Sequence, residues 1–186
     1  LFRSSAASDV YKRQGPDKET ISIIGVGILW TLLLLSSTLS LRKFYQDDFE
    51  NGNLLIIHLN GFSFGFISIL KTFSHFLFVQ IPFLLSIPVA CILLNIANDK
   101  LFYLFASFGI GSLILSCLGS ISSSMNLMNQ RNFLLGSVIV MIFSVPIIIF
   151  SVGIINMEEN FNALINILFG ILFIAVAYTH LTLPTN

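Results

Sequence analysis

Charge is what this sequence has least of. Nine Lys and Arg and nine Asp and Glu among 186 residues make it 10% charged, against roughly 25% in soluble domains. With 55% hydrophobic residues and a mean hydropathy of +0.92, too little polar surface remains to cover a water-facing globule. That excludes an ordinary soluble domain and points to a membrane protein. The two signs balance to zero, so no basic surplus points to nucleic acid as a partner. Cysteine is scarce as well: Cys91 and Cys117 both fall in apolar runs, and there is no Cys-x-x-Cys. This removes a disulfide framework and a zinc or thioredoxin-like motif, and leaves the two thiols as small apolar fillers. A phosphate loop of the form Gly-x4-Gly-Lys-Ser/Thr and a His-Glu-x-x-His zinc-peptidase motif are missing too. The chain reads as non-catalytic, with no catalytic, cofactor or metal residue picked out.

What the sequence does have is long apolar runs. A spanning helix needs about 20 mostly apolar residues, and five stretches meet or approach this: about 21–41, 73–94, 101–121, 133–155 and 161–177. The fold class is all-α, a polytopic integral membrane protein, with residues 15–177 forming one transmembrane domain. Residues 1–14 and 178–186 look like translated sequencing-adapter fragments and are set aside. The links 95–100 and 156–160 are tight, 122–132 is longer and polar, and 42–72 is the one long segment between spans.

Lys and Arg near span ends set orientation. Arg42, Lys43, Lys71 and Arg131 fall on one side and Lys18 and Lys100 on the other. The bias puts 42–72 in the cytoplasm. That segment opens with Phe44-Tyr45-Gln46-Asp47-Asp48-Phe49-Glu50-Asn51-Gly52-Asn53, which holds three of the nine acidic residues. The stretch reads as polar, with aromatics suited to a headgroup interface and a turn signal at Asn51-Gly52. An interfacial helix and turn should follow, then re-entry into the membrane through a partly polar helix start. Ser68, Lys71, Thr72 and His75 are spaced to share one helical face.

Asp47, Asp48 and Glu50 suit a docking surface for a soluble partner, because complementary charge fixes register and orientation. The blander reading is a solvated loop, and composition alone favours it. Asp-Asp-Phe-Glu lacks the alternating oxygen ligands of a calcium loop. His58 and His75 sit in no haem-attachment pattern; a helix-end histidine near the headgroups is the plainer reading of His75. Pro82, Pro88 and Pro146 fall inside spans, where they kink helices or mark hinges.

With these features in place, the chain resembles the CcmB family, the membrane subunit of the ABC-type complex for cytochrome c maturation. The matching stretches are Gly-Pro-Asp at 15–17, GILWTLLLLSSTLSL at 27–41, FYQDDFENGNL at 44–54, LKTFSHFLFVQIPFLLSIP at 70–88 and SVPIIIFSVG at 144–153. The resemblance implies six spans, five of them visible here, in an ABC-2-like permease fold that pairs or dimerises in a bacterial inner membrane. It implies a separate cytosolic ATPase that binds the ATP, a haem-handling membrane partner, and haem as the cargo of the complex. It also implies that Phe44, Tyr45, Asp47, Asp48, Glu50 and Gly52 form the element that docks on the ATPase; Lys71 and His75 are the candidates on the polar helix face read from spacing. An ABC-2 permease for a lipid, glycan or drug has the same architecture and stays open. An intramembrane enzyme would need polar catalytic residues converging in a span.

Overall fold

The computed structural model describes residues 18–128, 134–156 and 161–181, and among them every regular element is helical. In lipid a helix satisfies its own backbone, so an apolar run with no strong sidedness settles as a helix. The elements are α1 (Lys18–Glu50), α2 (Asn53–Leu59) and α3 (Phe64–His75), then a π-helical turn (Phe76–Gln80) that leads directly into α4 (Ile81–Leu93). A short 3-10 turn (Asn98–Lys100) leads into α5 (Leu101–Met128), followed by α6 (Leu134–Asn156) and α7 (Phe161–Leu181).

Four stretches are long and apolar enough to cross a membrane: Ile24–Glu50, Phe64–Leu93, Asn98–Leu127 and Gly136–Gly153. Of the five expected spans, the last is represented by a shorter apolar stretch, Phe161–Ala177. The helices alternate in direction. Tyr45, Ser68 and Ser120 meet at one end of the bundle, where the Gly136 N–H also reaches Asn126. At the other end a Cβ on Gly25 would touch Leu94, and Phe161 packs on Phe102 and Tyr103. Central α5 touches α1, α3, α4, α6 and α7, and 56% of its spanning window is buried against 17–35% for the other three spans.

Three boundaries differ from the sequence expectation. α1 does not stop at 41 but continues to Glu50, so the acidic stretch is helix and not loop. No Gly or Pro falls between residue 41 and Gly52, and Gln46 Nε2 donates to Glu50 Oε1 one turn on, at 2.7 Å. Gly52 ends it by taking φ 71°, a left-handed backbone that glycine adopts without steric cost. The second span begins with α3 at Phe64, ahead of the expected 73, and Ser63 caps it by accepting from the Phe66 N–H at 3.3 Å. α5 runs on to Met128 through the serines of the expected polar link, since Ser122, Ser123 and Ser124 are buried. The rest of that link, 129–133 with Arg131, and the link residues 157–160 lie outside the described residues.

The π turn has a local cause. Pro82 has no N–H for the carbonyl of Phe78, and its ring crowds that group. The backbone widens instead, and the Ile81 N–H bonds back to Phe76 O. Gln80 is the one buried residue of the turn.

Candidate functional site

The polar side chains of this oily chain converge where the charged end of α1 meets α3 and α5. Tyr45 is 1% exposed. Its hydroxyl lies 3.0 Å from Ser68 Oγ, to which it donates, and 2.8 Å from Ser120 Oγ; the two serines are 3.2 Å apart. Three helices are thereby tied by one closed set of hydroxyls. A buried hydroxyl without a partner costs a few kcal/mol, so each member holds the others in place.

One turn away, Lys71 of α3 reaches back to α1. Its ammonium pairs with the Asp48 carboxylate and donates to the Phe44 carbonyl at 3.1 Å. A carbonyl oxygen has two lone pairs, so Phe44 O can take the ammonium in addition to its own helix bond. Asp48 also accepts from Asn53 Nδ2 at 3.2 Å, so one carboxylate joins α1, α2 and α3.

His75, a further turn along and the last residue of α3, is buried where the helix runs on into the π turn. The reason is the shared face: Ser68 and His75 point inward, while Phe66, Ile69, Leu70 and Phe73 point out. Its ring packs 5.1 Å from Phe44, and its Nδ1 is 3.0 Å from Ser116 Oγ. The single Ser116 hydroxyl proton goes to Ser112 O at 3.0 Å. Nδ1–H is therefore the donor to Ser116, and Nε2 has no partner among the described residues. A cavity of about 150 Å3 opens between α1 and α3 beside this cluster, with Lys71, Ser74 and His75 among its lining.

The structure divides the sequence candidates. Phe44 and Tyr45 are buried and fasten α1 to the bundle; neither can present itself to a soluble partner from this position. Asp48 is engaged by Lys71. Asp47, Phe49 and Glu50 remain exposed, with Phe49 49% accessible. Gly52 shapes the turn into α2, whose Leu55, Ile56, Ile57 and Leu59 are exposed. His58 is local to the next turn: Nδ1–H donates to Phe62 O at 3.0 Å and the ring stacks on Phe64.

Sequence reasoning missed the partners contributed by α5, because serines in an apolar run read as loop or filler. The i, i+4 spacing of Ser112, Ser116 and Ser120 was the available signal. It also passed over Gly61-Phe62-Ser63-Phe64-Gly65, which has the spacing of a serine-hydrolase elbow. Here Ser63 is the helix cap of α3, and the element before it is the helix α2, not a strand. Among the described residues, no group of three His, Cys, Asp or Glu is placed to hold a metal ion.

The pattern of the CcmB protein family matches residues 13–185. Curated relatives carry the name heme exporter protein B. The one from Haemophilus influenzae is 30% identical over 135 residues, 73% of this chain and 61% of that protein. The one from Paracoccus denitrificans is 35% identical over 135 residues, 73% of this chain and 62% of that protein. The one from Bradyrhizobium diazoefficiens is 29% identical over 139 residues, 75% of this chain and 63% of that protein. The chain thus spans less than two thirds of the length of these relatives.

Proposed function

Because this chain belongs to the CcmB protein family, we propose that it is the multi-pass membrane subunit of an ABC-type haem exporter required for cytochrome c maturation. A separate cytosolic ATPase supplies the energy, a haem-handling membrane protein is the neighbour, and haem is the cargo of the complex. The site is the bacterial inner membrane. Relatives named heme exporter protein B support the cargo.

One observation in the fold carries the mechanical part of the reading. The exposed Asp47, Phe49 and Glu50 and the apolar face of α2 stand at the end of a helix whose next turn is locked into the bundle by Tyr45 and by the Asp48–Lys71 pair. A partner pressing on this surface moves α1 and α3 together, because the buried hydroxyls and the ion pair leave no slack between them. Charge complementarity at Asp47 and Glu50 sets the register of the partner.

Complementation tests the reading. The full-length protein, expressed with its own ATPase in a bacterium lacking heme exporter protein B, should restore covalent haem on c-type cytochromes. Reversing the two exposed acids, Asp47→Lys with Glu50→Lys, should abolish that restoration while leaving the protein in the membrane. Failure of the unaltered protein to restore haem attachment, when it is inserted and bound to its ATPase, overturns the cargo. Full activity of the double variant overturns the docking role.

A further inference from the structure

The cavity between α1 and α3 is graded in polarity along its length. At one end is the Lys71 ammonium beside Phe44; one turn on along α3 are Ser74 and His75, with Ser40 contributed by α1; a turn beyond are Phe78 and Val79. Ser74 and Phe78 are both exposed, so the mouth opens on the outer, membrane-facing side of the bundle. The order charged, neutral polar, apolar is that of a phospholipid read from its phosphate through its ester groups to its acyl chains.

Two further features narrow the headgroup. Lys71 has three N–H donors; Asp48 and the Phe44 carbonyl take two, which leaves one for a phosphate oxygen. Among the described residues the Lys71 ammonium stands against two carboxylates of α1, Asp48 in the ion pair and the exposed Asp47. A net-anionic headgroup gains little from such a site, whereas a zwitterion meets both signs. Asp47 is exposed beside the pair and is an acceptor for a headgroup N–H. Headgroup recognition by a basic side chain between transmembrane helices is an established mode.

We propose that this cavity is a binding site for an ethanolamine-type phospholipid. The phosphate lies at Lys71, the esters at Ser74 and Ser40, the ammonium at Asp47 and one acyl chain against Phe78 and Val79. The lipid thereby completes the wall between α1 and α3. The proposal needs only that these helices span the membrane, and it stands apart from the cargo of the complex.

The test is native mass spectrometry of the full-length protein released from detergent and titrated with phosphatidylethanolamine, phosphatidylcholine or phosphatidylglycerol. The ethanolamine lipid should bind at least about tenfold more tightly than the other two, the difference that one charge-assisted hydrogen bond makes. Phosphatidylcholine has no N–H for Asp47, and phosphatidylglycerol has no positive charge. Ser74→Phe, which fills the mouth from an exposed position and leaves the ion pair intact, should erase the preference. The charge-neutral pair Lys71→Met with Asp48→Asn should erase it as well. Equal binding of the three lipids, tighter binding of phosphatidylglycerol, or an unchanged preference in Ser74→Phe each overturns the proposal.

Discussion

Tyr45 and Ser120 stand 75 positions apart in the sequence, and their hydroxyls are 2.8 Å apart. The contact joins α1 to the central helix, and Ser68 closes it from α3. Tyr45→Phe removes one corner but leaves Ser68 and Ser120 bonded to each other at 3.2 Å. No hydroxyl is orphaned, so the loss should be modest, about 1 kcal/mol. Tyr45→Ala also empties a fully buried ring site and should cost about 3–5 kcal/mol. Denaturation of the two variants in one detergent checks the ranking; equal losses would show that the hydroxyl, not the ring, holds the junction.

The Asp48–Lys71 pair should behave as a coupled unit. Its side chains are 27% and 26% exposed, between a surface pair worth up to about 1 kcal/mol and a fully buried pair whose breakage costs about 3–5 kcal/mol. Asp48→Asn or Lys71→Met alone leaves a half-buried charge without its counterpart, and each should cost about 1–2 kcal/mol. The double substitution should cost less than the two singles summed. A double-mutant cycle measures this directly, and strict additivity would mean that the ions do not feel each other.

Gly111 sets the spacing between α1 and α5. A Cβ there would fall inside van der Waals contact of the Trp30 ring, and that ring stacks on Phe108 with centroids 4.4 Å apart. Gly111→Ala should therefore destabilise the protein by about 1–3 kcal/mol through overpacking. Trp30→Phe should relieve the clash in the double variant without losing a hydrogen bond, because the Trp30 indole nitrogen has no partner among the described residues. A thermal melt that shows no recovery in the double variant would place the strain elsewhere.

Much of this was legible in the sequence, and the physics says which parts. The membrane class and the helical runs follow from composition and length, since oil tolerates only a self-satisfied backbone. The shared face of Ser68, Lys71, Thr72 and His75 follows from their spacing. What the sequence hid were facts of tertiary pairing. Phe44 and Tyr45 read as interface aromatics because aromatic residues next to charges usually are; α3 and α5 bury them instead. Asp48 read as a free acid because Lys71, its partner, is 23 positions away. The continuation of α1 through Asp47 and Asp48 was hidden by the assumption that a span ends where charge begins.

The last prediction concerns Gln80, a buried amide in the π turn. It is fully buried, and neither its amide oxygen nor its amide nitrogen has a partner among the described residues. It lies in the π turn, which packs against both α1 and α5, one turn beyond His75 on the same face. An amide buried without hydrogen bonds costs about 1–3 kcal/mol by mutational measures, and a π turn that leads into Pro82 is a natural point for α3 and α4 to bend. Gln80→Met keeps the length and flexibility of the side chain and removes both polar atoms. It should raise the melting temperature in detergent. If Gln80 serves bending during turnover, the same variant should lower haem attachment in the complementation assay while the protein becomes more stable. Greater stability with full activity would make Gln80 dispensable to movement, and a lower melting temperature would mean that the amide has a partner in the assembled protein.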